Sequence, residues 1–128
     1  MKLKSILALI TILIINVNFT SKIADTSSLI VWSKISHNFG DIKQGQVMET
    51  EFTFQNLSKD TFILENVQGS CGCLASSWPK QPILPNEKGS IIVKFDSQGK
   101  SGNHLKSFSV FTNLGAYYLE IKANIIKN

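Results

Sequence analysis

Arginine is absent from this chain of 128 residues, so all thirteen of its basic residues are lysines. Three of them, Lys2, Lys4 and Lys22, fall within the first two dozen residues, which leaves ten against nine Asp and Glu from residue 25 onward. A remainder so close to neutral, with no cluster of Arg and Lys, lacks the electrostatic footprint that nucleic-acid binding requires, and that class of partner is excluded. Cysteine is scarce as well, with two residues at positions 71 and 73. Neither lies just after the apolar leader, so a lipid anchor on an N-terminal cysteine is excluded, and no second Cys or His pair at zinc-site spacing accompanies them. Proline is confined to Pro79, Pro82 and Pro85. No Gly-X-Ser-X-Gly nucleophile motif occurs. No amphipathic helix of useful length can be traced, and no segment repeats.

What the chain does have begins with a leader. A short basic start at Met1-Lys2-Leu3-Lys4 precedes an almost wholly apolar stretch over residues 5–19, which is the order of a secretory signal. Its 15 residues fall short of the ~20 that span a bilayer, so a cleaved signal is preferred over a retained anchor. Residues 1–24 are assigned as a signal peptide forming a signal helix, with an uncleaved anchor as the alternative. Residues 25–128 are assigned as one folded domain. About one hundred residues bury roughly two-thirds of their unfolded surface, enough for a core without staples.

Past the leader the pattern turns to short alternating runs separated by turn residues. Met48, Phe52 and Phe54 share one parity, while Glu49, Glu51, Thr53 and Gln55 share the other. Ile91, Val93 and Phe95 alternate with Ile92, Lys94 and Asp96, and Tyr117, Leu119, Ile121, Ala123 and Ile125 alternate through the last run. Period two with one apolar parity describes a strand buried on one side and wet on the other. Further runs are expected over residues 29–35, 61–67, 74–78 and 105–112, with turns at Gly40-Asp41 and around Pro85-Asn86-Glu87-Lys88 and a polar loop over 97–103. Residues 79–85 are too rich in proline for a sheet interior and mark an edge or crossover. The expected fold is all-β, an immunoglobulin-like antiparallel β-sandwich of about seven strands.

The ordered set Phe39-Gly40-Asp41-Ile42, Gly45, residues 51–56, residues 67–73 ending in Cys71-Gly72-Cys73, Ile83-Leu84-Pro85, Glu87, Gly89, Ile91, Val93 to Asp96, and residues 110–113 resembles one bacterial family. That family is the secreted Cys-Gly-Cys domains called domain-of-unknown-function family fifteen-seventy-three, distant relatives of Hydin-type immunoglobulin-like modules. The resemblance covers roughly residues 35–126 and implies a sandwich fold and an extracytoplasmic compartment, with no activity attached. Two departures stand out. Asn86 takes the place of the family's usual glycine, and asparagine is the next-best residue for a left-handed turn position. Leu74 follows the second cysteine where a Thr or Ser is common.

Cys71-Gly72-Cys73 is the one constellation that bears on chemistry, and four readings stay open for it. These are a local disulfide, two packed free thiols, a two-thiolate site for a soft metal such as Cu(I), and a redox-active pair. The redox reading lacks the Cys-X-X-Cys spacing at a helix start that lowers a thiol pKa. His37 and His104 stand alone and read as surface or strand residues. Glu49 and Glu51 read as a solvated face, Asp41 and Asp96 as turn residues, and Trp32 and Trp78 as core or rim.

No catalytic residues and no cofactor are assigned. The sequence points to a non-catalytic module of the bacterial cell envelope, periplasmic or secreted. Its loops or edges would contact an envelope protein or surface polymer, with no membrane span once the signal is removed. The alternative is a small thiol-dependent envelope protein that binds Cu(I) or exchanges electrons through Cys71 and Cys73. Mass spectrometry of envelope fractions is expected to find the mature N-terminus between about residues 19 and 28; recovery of only the intact chain, in membranes, would support the anchor.

Overall fold

The computed structural model describes residues 29–127; the leader assignment, including its helix, lies outside them. The strong alternation over residues 47–56 becomes the 10-residue strand β3 (Val47–Asn56). It pairs antiparallel with β6 (Lys88–Asp96), so that Phe52 stands opposite Ile91 and Thr50 opposite Val93. β1 (Ile30–Trp32) pairs with the other side of β3, and β5 (Leu74–Ser77) with the other side of β6, giving a first sheet in the order β1-β3-β6-β5. The long hairpin of β7 (Gly102–Thr112) and β8 (Gly115–Ile126) centres the second sheet. β4 (Leu64–Gly69) joins β7 at one edge and β2 (Ser36–Lys43) joins β8 at the other, in the order β2-β8-β7-β4. The fold is thus an all-β immunoglobulin-like sandwich. Among the described residues no helix is long and apolar enough to cross a membrane.

The core sits where the inward parities of the two sheets meet. Phe52, Phe54, Ile91, Val93, Phe95, Leu119 and Ile121 are all buried there, each at 2% exposure or less. Phe52 of the first sheet meets Phe108 of the second edge to face, with ring centroids 5.4 Å apart, the arrangement the aromatic quadrupole prefers. At one end Phe54 packs against Phe62 at 5.3 Å and Trp32 at 5.0 Å, and Trp32 also meets Tyr117 at 5.6 Å.

Several local expectations change. The run expected over residues 29–35 stops at Trp32, and the chain changes sheets: Ser33 N–H still donates to Thr53, but Glu120 N–H donates to Ile35, which starts β2 against β8. Residues 36–43, expected to lead into a turn, form the additional strand β2, which makes eight strands in place of about seven. The β2–β8 pair is parallel, so the second sheet is mixed where antiparallel pairing throughout was expected. The turn expected at Gly40-Asp41 is a bulge inside β2, between Asn38 and Asp41. The run expected over 61–67 yields only a Phe62–Ile83 bridge before β4 begins. The turn at Pro85 forms as expected: Glu87 N–H donates to Leu84 O at 3.0 Å and Asn86 takes φ 68°. Proline at the second position and a left-handed third position describe a type II turn.

Two polar groups are buried to hold loops rather than to do chemistry. Asn56 donates to Asp60 O and Ile83 O and accepts from Ser58 through its Oδ1. Ser97 Oγ, fully buried, lies within hydrogen-bonding distance of Lys43 O at 3.1 Å and Gln46 O at 2.6 Å. Burying such groups is tolerable because they are bonded. Phe54→Ala removes a buried ring that touches both ends of an aromatic cluster and is expected to cost about 3–5 kcal/mol in urea unfolding. A loss below ~1 kcal/mol would contradict the burial and the register assigned to β3.

Candidate functional site

The Cys-Gly-Cys segment lies where the chain passes from one sheet to the other. β4 ends at Gly69 on the edge of the second sheet, and β5 starts at Leu74 on the edge of the first. Ser70 N–H donates to Ser107 O at 2.9 Å on the departing side, and Asp96 N–H donates to Cys73 O at 3.0 Å on the arriving side. Leu74 N–H reaches back to Cys71 O at 3.3 Å to close the turn between. Cys71 and Cys73 are joined in a disulfide with their Cα atoms 5.2 Å apart. A Cβ on Gly69 would lie 2.9 Å from Leu74 Cβ, so the crossing requires glycine there, whereas the space over Gly72 is open. Leu74, which stands where a hydroxyl residue is common in the resembling family, packs against the core together with Cys73.

Chemically, a closed disulfide offers no thiolate, so binding a soft metal or attacking a partner disulfide requires reduction first. Among the described residues no group of three or more His, Cys, Asp or Glu side chains gathers into a metal set. His37 lies on β2, at the opposite edge of the second sheet from β4. Its Nδ1 is 3.0 Å from Lys34 Nζ, and burial, reinforced by the Lys34 charge, pulls its pKa below the usual histidine value. His104 bonds to Ser101 O. Glu49 is exposed and pairs with Lys94 at 3.5 Å, as a solvated face does. Asp96 and Asp41 are strand residues where turn residues were expected: Asp96 ends β6 and accepts from Gln98 N–H of the turn that follows, and Asp41 accepts from Asn124.

Both outer faces of the sandwich carry charge, and they differ in exposed aromatics. The first sheet turns Glu49, Glu51, Lys88, Lys94 and Asp96 to solvent together with Val31 and Val47. On the second sheet β8 turns out Tyr118, Glu120 and Lys122, while β7 turns out Leu105, Ser107, Ser109 and Phe111. Tyr118 is 71% exposed and Leu105 60%, with Ile35 at 62% just ahead of β2. A depression of about 250 Å³ lies between Ile35, Ser107, Tyr118 and Glu120, with Ser36 Oγ donating to Glu120 at 3.0 Å. Asp41, Lys43, Glu120 and Lys122 charge this face as well, and among them its Ser and Asn groups and a rigid exposed tyrosine are residue types that recur in adaptable binding surfaces. The sequence reading passed over this face. The signal available to it was Leu105 and Phe111 on the parity opposite to Phe108 and Val110, apolar residues on the side that a half-buried strand leaves wet.

This geometry defines an immunoglobulin-like sandwich domain. The family model described as "Protein of unknown function (DUF1573)" matches residues 30–125, and the chain belongs to that family. No curated protein matches. Among solved structures, the chain is similar to a protein of unknown function from Porphyromonas gingivalis at 14% identity and a TM-score of 0.66, over 75% of this chain and 46% of that one. It is similar to the ASH/PapD-like domain 7 of human CEP192 at 9% identity and a TM-score of 0.61, over 78% and 87%. It is also similar to the VesB protease of Vibrio cholerae at 15% identity and a TM-score of 0.61, over 77% and 32%. The chain therefore spans less than half of the Porphyromonas and Vibrio proteins, and identities this low establish the fold alone.

The chain-entropy relation gives a disulfide closing so short a loop only about 1–2 kcal/mol, against about 3 for a fifteen-residue loop. The double variant Cys71→Ser/Cys73→Ser is therefore expected to stay folded, with a urea midpoint only slightly lowered. An unfolded double variant would show that the turn carries far more structural weight.

Proposed function

We propose that the protein is a non-catalytic binding module of the bacterial cell envelope that engages its partner through the outer face of the second sheet. The observation that carries this reading is the contrast between the two outer faces. Both faces carry charge, but the exposed aromatic side chains, Tyr118 and Phe111, lie on the second. Aromatic residues are enriched at contact sites relative to the rest of a protein surface. The family and fold give no support to a catalytic role, and the buried polar groups Asn56 and Ser97 are consumed in holding loops. The basic start and apolar stretch over residues 1–19 support an extracytoplasmic location, and so does a disulfide, which persists in oxidising compartments.

A photo-crosslinking residue placed at Tyr118 in cells is expected to give a discrete adduct, whereas the same residue at Glu51 on the first sheet gives none. Equal adducts at both positions, or none at Tyr118, would contradict the assignment of the contact face.

A further inference from the structure

The outer face of the second sheet is not flat. β2 carries its bulge between Asn38 and Asp41, where Gly40 takes φ 70° and Asn38 Oδ1 accepts the Gly40 N–H at 2.9 Å. A side chain is strained at that angle, so the bulge favours glycine. A bulge bends its strand, and here an open groove of about 430 Å³ crosses β2, β8 and β7. That volume falls in the ligand-sized range of roughly 300–1,000 Å³.

Two rungs of the ladder line the groove. Asp41, Asn124 and Asn103 stand side by side in one, and Asn38, Lys122 and Leu105 in the next. Asn124 Nδ2 donates to Asp41 Oδ1 at 2.9 Å, which fixes the direction in which that amide presents its oxygen. The lining holds one carboxylate and one ammonium, so it carries no excess charge for a strongly ionic ligand. The main chains of β7 and β8 are paired on both sides, so a peptide laid over them finds no ladder to extend, and one added to the free edge of β2 would lie beside the sheet rather than in the groove. What remains is a set of amides, each with a donor pair beside an acceptor. Neighbouring hydroxyls, which each donate and accept, match such a set. Leu105 adds an exposed apolar surface suited to the C–H face of a sugar ring. Tyr118 lies four residues along β8 from Lys122, roughly 13 Å away, on the same face.

We propose that the groove floored by the β2 bulge is a binding site for a neutral glycan that runs along β8 toward Tyr118. The proposal rests on the outer face of the second sheet being the contact face, and it names the chemistry that face recognises.

Titration calorimetry on protein purified from cells expressing the full chain tests it, with cellohexaose and chitohexaose as neutral probes and hexagalacturonate as the anionic comparator. At least one neutral hexasaccharide is expected to bind, and more tightly than hexagalacturonate. Asn103→Ala and Tyr118→Ala should each weaken binding about fivefold or more, while Lys88→Ala on the first sheet leaves it unchanged. Asn103 and Tyr118 are exposed, so thermal unfolding should show both variants folded. Absence of binding by both neutral probes at millimolar concentration, tighter binding of hexagalacturonate, or undiminished binding in Asn103→Ala would overturn the proposal. If glycan binding fails while crosslinking at Tyr118 persists, the glycan is wrong and the contact face stands; if both fail, both readings fall.

Discussion

Every other feature of this protein depends on two apolar sheet faces covering one another. Side chains on a strand alternate strictly, so committing Phe52, Phe54, Ile91, Val93 and Phe95 to the interior commits Glu49, Glu51, Thr53 and Lys94 to solvent. Phe108, Val110, Leu119 and Ile121 make the same commitment from the other side. The crossings between sheets are then the places where the chain must be pinned. Asn56 and the Pro85 turn pin one region, Ser97 a second, and the Gly69-to-Leu74 crossing with its disulfide a third. The disulfide is one pin among several in this arrangement, which is why its small loop is given little weight in stability.

The same alternation that builds the core decides what is left to bind. A sheet face that serves only solubility carries mixed charge, as the outside of the first sheet does. The second sheet carries charge too, at Asp41, Lys43, Glu120 and Lys122, but it also turns out Tyr118, Leu105 and Phe111, which cost solubility and contribute nothing to the core. The β2 bulge adds shape to that face. The parallel pairing of β2 with β8 places Asn38 and Asp41 beside Lys122 and Asn124, so residues more than eighty positions apart share a groove.

Much of the fold was legible in the sequence because period-two alternation is a direct readout of one-sided burial. Met48 to Gln55, Ile91 to Asp96 and Tyr117 to Ile125 were assigned to the correct faces for that reason, and the left-handed turn at Asn86 was legible from the glycine that the resembling family has there. The break after Trp32 was not legible, because a strand that changes sheets keeps an extended conformation and leaves no compositional mark. Gly40-Asp41 looked like a turn because glycine with positive φ serves turns and bulges alike. Ser97 sat in a segment read as a polar loop; its burial depends on carbonyls supplied by residues distant in the chain. The exposed apolar residues of the second sheet form no motif: Leu105 and Phe111 stand out only once Phe108 and Val110 are known to face the core.

The central claim is that the outer face of the second sheet is covered in the envelope and the outer face of the first is not. Hydroxyl-radical footprinting of intact envelopes against the purified protein tests it most directly. The account predicts protection of Tyr118, Leu105 and Phe111, with Val47, 59% exposed on the first sheet, modified equally in both samples. Protection of Val47 with Tyr118 unprotected would contradict it.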